Sequence, residues 1–258
     1  PVTPRYTVVQ HSHLGEVAKI IAGEHGAVVE RAGSFYGGRR AFLQLRLPQG
    51  IEIGGGDSLA TRLLISNDHG GGSFVLGGCV TRIVCENTCT LARGQAARTA
   101  SIQHRASVHQ KIAAVAKALS ELKVWGGTLR ETFETLRQTE LDEARVETFL
   151  RGLFPDSFRT NKAGEKVLTG QVQRARETVR GLYINARGEL IGAETLGQEN
   201  GWRLFQAVTQ YVSHEKPSKG DGDTAAANDL FHEGQQAGLR ERAVALLLGE
   251  VEEPALVG

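Results

Sequence analysis

The sequence is poor in several residue types that mark particular classes of protein. Its 258 residues include no methionine, three cysteines and two tryptophans. A disulfide-rich secreted domain has a larger and even number of cysteines, whereas this chain has only Cys79, Cys85 and Cys89. We therefore expect a reducing, cytoplasmic environment. No apolar run comes near the roughly 20 residues that cross a bilayer, and no basic-then-apolar leader opens the chain. We therefore expect no membrane partner.

The motifs of the common enzyme classes are also missing. The chain has no P-loop, no G-x-S-x-G, no H-E-x-x-H and no dinucleotide-binding fingerprint. This favours a non-enzymatic protein with no catalytic residues and no cofactor. The formal net charge is only +1, so a nucleic-acid-binding surface would have to arise from local clustering of charge.

The spacing of apolar residues predicts an α+β fold. A short helix from Leu14 to Gly23 precedes alternating segments that predict an antiparallel β-meander of four or five strands, ending near Cys85. A long helix is expected from about Ala100 to Val124. Its apolar stripe would pack on the sheet and consists of Val108, Ile112, Val115, Leu119 and Leu122.

The remaining pattern predicts a mostly helical C-terminal part. We place an α-β-β-β-β-α core at residues 14–124 and a helical region at residues 125–258, with a linker near 215–223. Gly126 and Gly127 are expected to form a hinge, and Gly77 and Gly78 a bulge or bend within a strand from Ser73 to Cys85. Further helices are predicted to end at Leu153, to span Gly170 to Tyr183, and to bury Trp202, Phe205, Thr209 and Val212.

Positive charge is concentrated in the segment from Arg93 to Lys123. It holds six cations and one acid, and Arg105 and Lys123 lie about five helical turns apart on one face. A row of spaced cations suits a phosphate backbone, although a solvated helix face is the simpler alternative. Tyr36, at a predicted hairpin tip, could stack on a base. The predicted DNA-binding residues are Arg39, Arg40, Tyr36, Arg82, Arg93, Arg98, Arg105, Lys111 and Lys123.

The sequence also contains residues of two other kinds of site, a metal site and a nuclease site. The cysteines, with His104 and His109 downstream, lack the short paired spacings of zinc sites, so we expect no metal. A metal-dependent nuclease could use Asp57, Asp68 and His69, which lie in or near glycine-rich turns. Acidic residues in such turns are more often turn formers.

Five segments carry a family resemblance. Residues Thr81 to Thr88 (T-R-I-V-C-E-N-T) resemble the R-V-V-C-x-N-T signature of family nine-three-two of the domains of unknown function, which occurs on phages and plasmids. Other pieces of that family are similar to Gly38 to Leu45, Leu64 to Gly70, Ile102 to Arg105 and Gly201 to His214. The motif residues carried over are Arg82, Cys85, Asn87, Thr88 and His104. The chain departs from the family pattern at Gln206, where the family usually has asparagine.

The resemblance implies a mobile-element protein linked to DNA processing. The predicted α-β-β-β-β-α order is similar to the core of single-strand annealing recombinases. This second resemblance implies a homo-oligomer that binds single-stranded DNA. Asn87 and Thr88 would cap the turn after the strand or offer backbone N–H groups to a phosphate. The sequence therefore predicts a single-stranded DNA-binding protein associated with annealing, recombination or repair. The alternatives are the nuclease and a phage or plasmid protein that binds a host protein.

Overall fold

The computed structural model describes residues 7–70, 72–83, 100–102, 110, 121–215, 227 and 234–250. The chain divides into two compact units. We call the first the sheet unit; it comprises Pro1–Glu52, Ser58–Arg130 and Lys219–Glu233. We call the second the helical unit; it comprises Ile53–Asp57, Glu131–Ser218 and Gly234–Gly258.

An antiparallel meander forms the main sheet. One helix precedes it, and the strand order is β1-β2-β4-β5-β6 with β3 paired to β4. This confirms the predicted α+β class. The elements are α1 (Ser12–His25), β1 (Val28–Phe35), β2 (Arg40–Arg46), β3 (Ile51–Ile53), β4 (Asp57–Asp68), β5 (Phe74–Arg82) and β6 (Ala100–Ile102).

Helix α1 covers one face of this sheet. Gly26 ends the helix because it adopts a left-handed conformation (φ 66°), from which its N–H donates to the Ala22 carbonyl at 2.9 Å. The apolar face of α1 follows the helical period and meets alternate residues of β2, β4 and β5, so both patterns bury their apolar side in one core. That core contains Leu14, Val17, Ala18, Ile21, Leu45, Leu63, Ile65, Phe74 and Leu76.

Three of the predicted elements differ from the structure. Ala100–Ile102 is a strand rather than the start of a helix, because it pairs with the backbone N–H and C=O groups on the outer edge of β5, with Ile102 opposite Phe74. Gly77 and Gly78 lie in unbroken register with β4, so β5 has no bulge between its ends. The expected hinge at Gly126 and Gly127 is inside one helix. The predicted apolar stripe, residues 108–122, falls almost wholly outside the described residues.

The described elements after the sheet are mostly helical, as expected. Asp142 caps a helix through its side chain, which accepts from the Arg145 N–H at 2.8 Å. The helix from Gly170 to Tyr183 is confirmed, and the residues before it, 156–169, contain a small antiparallel hairpin. The elements are α2 (Glu121–Gln138), α3 (Glu143–Leu153), β7 (Phe158–Thr160), β8 (Lys166–Leu168), α4 (Gly170–Tyr183), α5 (Gly201–Gln210) and α6 (Gly234–Leu247).

A buried carboxylate and an aromatic cluster organise the helical unit. The rings of Phe133 and Trp202 lie 4.7 Å apart, and Phe205 lies 5.7 Å from Trp202. Asp57 is fully buried, and its two oxygens accept from the Trp202 indole N–H at 2.8 Å and from the Thr195 hydroxyl at 3.3 Å. The Asp57 side chain therefore links the first residue of β4 to Trp202 in α5, and it is not exposed to solvent.

Candidate nucleic-acid interface

Two turns meet at one end of the sheet. The β1–β2 hairpin tip lies beside the β4–β5 turn, since Arg40 pairs with Asp68 and the His69 N–H donates to the Arg39 carbonyl at 3.0 Å. These turns contain two of the segments that carry the family resemblance. We call the residues gathered here the tip site: His11, Tyr36, Arg39, Asn67, Asp68 and His69.

Tyr36 holds an unfavourable backbone conformation at the hairpin tip. Its φ is 56°, and Gly37 and Gly38 follow with φ of 65° and 88°. Glycine tolerates this region, but a bulky side chain there is strained. The tip is closed by the Arg39 N–H, which donates to the Tyr36 carbonyl at 3.3 Å. Strain of this kind is concentrated at binding and catalytic sites, so Tyr36 is a candidate functional residue.

Arg39 lies over the Tyr36 ring. Its guanidinium carbon is 4.6 Å from the ring centroid, within the range of a cation–π contact. Its Nε is 3.7 Å from Asp68 Oδ1, and its side chain remains 51% exposed. The Asp68 carboxylate also accepts from the Gly70 N–H at 2.6 Å. The tip thus presents a cation and an aromatic ring together at the surface, and Asp68 orients the cation.

A pair of stacked imidazoles anchors the N-terminal segment to the tip. The rings of His11 and His69 lie 4.1 Å apart and are 6° from parallel. His11 Nε2 donates to the Gly38 carbonyl at 2.8 Å, while its Nδ1 accepts from Asn67 Nδ2 at 3.0 Å. Asn67 also donates to the Val9 carbonyl at 2.8 Å. Sequence analysis did not predict this role for His11, because only the fold brings residues so distant in sequence together.

Of the other predicted DNA-binding residues, only Arg40 and Arg82 have side chains that the structure describes. Arg40 is 9% exposed and Arg82 is fully buried at the end of β5, so neither side chain is open to a phosphate backbone. Lys123 lies in α2, although its side chain is not among those described. The remaining predicted cations and motif residues fall outside the described residues: Arg93, Arg98, Arg105, Lys111, Cys85, Asn87, Thr88 and His104.

The sheet face opposite α1 carries a polar layer. Glu30 accepts from Arg62 Nε at 2.6 Å and from Arg46 Nε at 3.1 Å, so one carboxylate bridges two strands. Further along, the Gln44 amide lies 3.9 Å from the Cys79 sulfur. Burial raises the pKa of the Cys79 thiol to about 11, which keeps it protonated. Cys79 is therefore an unreactive interior thiol.

The structure does not gather the residues of the nuclease alternative. Asp57 and Asp68 are the first and last residues of β4, whose length separates them by about 36 Å. Asp57 is already bound by Trp202 and Thr195, and His69 is occupied with the Val9 carbonyl at 2.7 Å. Within the described part of the chain, no group of three or more His, Cys, Asp or Glu side chains could hold a metal ion.

The fold defines an α+β protein with a six-stranded antiparallel sheet and a mainly helical C-terminal part. A family model with the description "Domain of unknown function (DUF932)" matches residues 1–233, and the chain belongs to this family. Comparison with curated proteins and with solved structures gives no match. No helix among the described residues is long and apolar enough to cross a membrane.

Proposed function

We propose that this chain is a non-enzymatic protein that binds single-stranded DNA in the cytoplasm through the tip site. The observation that carries the proposal is the half-exposed Arg39 guanidinium over the ring of a strained Tyr36. Proteins that bind single strands combine aromatic stacking surfaces with cations along the backbone. Both groups are present here on one tight turn.

The tip site offers a base and a phosphate separate contacts. A base can stack on the guanidinium plane, or on the phenol ring once Arg39 has turned toward a phosphate. Asp68 Oδ1 lies 3.7 Å from Arg39 Nε, and the arginine side chain is half exposed, so the ion pair is weak enough to exchange for a phosphate. His11 bonds to the Gly38 carbonyl of the hairpin and is itself bonded by Asn67. These contacts fix the hairpin, so a bound strand would meet a preformed surface.

Further support comes from the sequence. Six cations and one acid lie between Arg93 and Lys123, and they would extend a phosphate-binding surface beyond the tip. The α-β-β-β-β-α order predicted from the sequence resembles that of annealing recombinases, and from it the proposal takes a role in strand annealing, recombination or repair, in a phage- or plasmid-related protein.

A direct binding titration tests the proposal. We expect a fluorescein-labelled oligonucleotide of about 30 nucleotides to show increased anisotropy with the purified chain at 50 mM salt. Affinity should fall with salt at a log–log slope of about −0.7 for each phosphate neutralised, and binding to a duplex of equal length should be weaker. Absence of binding at 50 mM salt, or an affinity that does not depend on salt, would contradict the proposal.

A further inference from the structure

Strand β1 is a long, exposed edge of the sheet. It lies at one end of the strand order, and no strand among the described residues pairs with its outer side. All of its residues except Phe35 are exposed, and two of them are large and apolar: Val28 at 59% and Val29 at 46% exposure. The outer side of such a strand presents a row of backbone N–H and C=O groups, which is a template for another strand.

A β-bulge in β1 places two oppositely charged side chains on one face. The register to β2 shifts between Val29 and Arg31, so Glu30 is the extra residue. Arg31 lies opposite Gln44 and shares its face. The Glu30 carboxylate bonds to Arg46, which is on that same face of β2. In a regular strand neighbouring residues would point to opposite faces.

We infer that β1 pairs antiparallel with β1 of a second copy of this chain, about a two-fold axis that passes between Glu30 and Arg31. Residues directly opposite each other in an antiparallel pair must share a face. In this register Glu30 faces Arg31 of the second copy, and the same pair repeats across the axis. The bulges of the two copies coincide at the axis, so they do not shift the pairing on either side.

The apolar residues match in the same register. Val29 faces Ala32 of the second copy, and both lie on the α1 side because their β2 partners, Leu45 and Leu43, belong to that core. On the other side, Val28 faces Gly33 of the second copy. An added Cβ on Gly33 would lie 2.9 Å from Phe42, so the Phe42 ring extends across this glycine. Val28 would therefore gain an aromatic contact where Gly33 has no side chain.

This self-complementarity favours a second copy over an unrelated peptide. A single two-fold axis places Glu30 opposite Arg31 and Val29 opposite Ala32. An isologous interface requires such pairing of one surface with itself. The pairing does not disturb existing contacts of Glu30, because its bonds to Arg46 and Arg62 lie within its own chain. The inference does not depend on DNA binding, and it is tested with DNA-free protein.

Engineered disulfides test the register. In a chain with Cys85 and Cys89 changed to serine, we expect Val29→Cys combined with Ala32→Cys to form a covalent dimer under mild oxidation. The matched control is Val29→Cys with Ser34→Cys, which share the same face but are out of register and should give less than a tenth as much dimer. Equal yields from the two variants, or no dimer from either, would overturn the inference.

Light scattering coupled to gel filtration tests the association itself. At about 100 µM we expect the unmodified chain to have twice the 27.8 kDa monomer mass, and Val29→Lys to have the monomer mass. The substitution is tolerated in the monomer because Val29 is already half exposed. Arg31→Glu, which places two acids opposite each other, should also give a monomer. A monomeric unmodified chain, or a Val29→Lys variant that keeps the wild-type mass, would overturn the inference.

Discussion

Replacing Tyr36 and Arg39 together with alanine is expected to lower the affinity for single-stranded DNA by about tenfold to a hundredfold. The loss of one aromatic stacking surface costs about 1–3 kcal/mol per base, and each 1.4 kcal/mol corresponds to a factor of ten. The log–log salt slope should become shallower by about 0.7, because one phosphate contact is lost. The anisotropy titration at 50 and 200 mM salt measures both effects.

The β7–β8 hairpin provides a matched control. It also has an exposed aromatic residue beside an arginine, with Phe158 59% exposed and Arg159 exposed. Alanine at Phe158 and Arg159 removes the same kinds of group and the same charge from a surface hairpin in the helical unit. We expect affinity within twofold of wild type for this control. An equal loss of DNA affinity in both double variants would show that the tip site is not the binding site.

Tyr36→Gly separates binding from folding. Glycine accepts the φ of 56° without strain, so this variant should fold at least as stably as wild type, with a gain of up to about 1 kcal/mol. Its affinity for DNA should nevertheless fall by about fivefold or more, because the stacking ring is lost. A variant that is both less stable and fully active would show that Tyr36 serves the fold.

Asp57→Ala is expected to lower the free energy of unfolding of the chain by about 3 kcal/mol. The substitution leaves the buried Trp202 indole N–H without its acceptor and leaves the Thr195 hydroxyl with the Gly192 carbonyl at 3.1 Å. Each unsatisfied buried polar group costs about 1–3 kcal/mol. Urea unfolding followed by tryptophan fluorescence measures this loss, and the emission of Trp202 should change at the same time.

Two further variants define the cause of that loss. Asp57→Asn keeps an acceptor oxygen for Trp202, so its loss should be about 1 kcal/mol. Asp156→Ala removes an aspartate that is 43% exposed and pairs with Arg176 in the helical unit, and it should cost about 1 kcal/mol or less. If Asp57→Ala were no more destabilising than Asp156→Ala, the buried network would not be a stabilising feature.

Local patterns in the sequence were enough to predict much of the fold. Alternation identified β2, and the helical period with a glycine stop identified α1. These features depend on neighbours in the chain, so no knowledge of the tertiary structure was needed.

The errors arose where long-range contacts decide the local structure. Ala100–Ile102 becomes a strand because β5 offers it an edge, which the local helical pattern does not reveal. Asp57 was a candidate catalytic acid in sequence, yet its indole partner is 145 residues away. For the tip site, the turn residues identified Tyr36 and Arg39, whereas the stacking of His11 on His69 depends on the fold.

Photo-crosslinking is the most direct test of where DNA binds. After ultraviolet irradiation of the complex with a thymine-rich single strand, tryptic digestion releases residues 32–39, which contain Phe35 and Tyr36, as one peptide. Residues 152–159, which contain Phe158, form a second peptide for comparison. We predict a nucleotide adduct on the peptide of residues 32–39, located on Tyr36 by mass spectrometry. An adduct on residues 152–159 with none on residues 32–39 would contradict the assignment of the tip site.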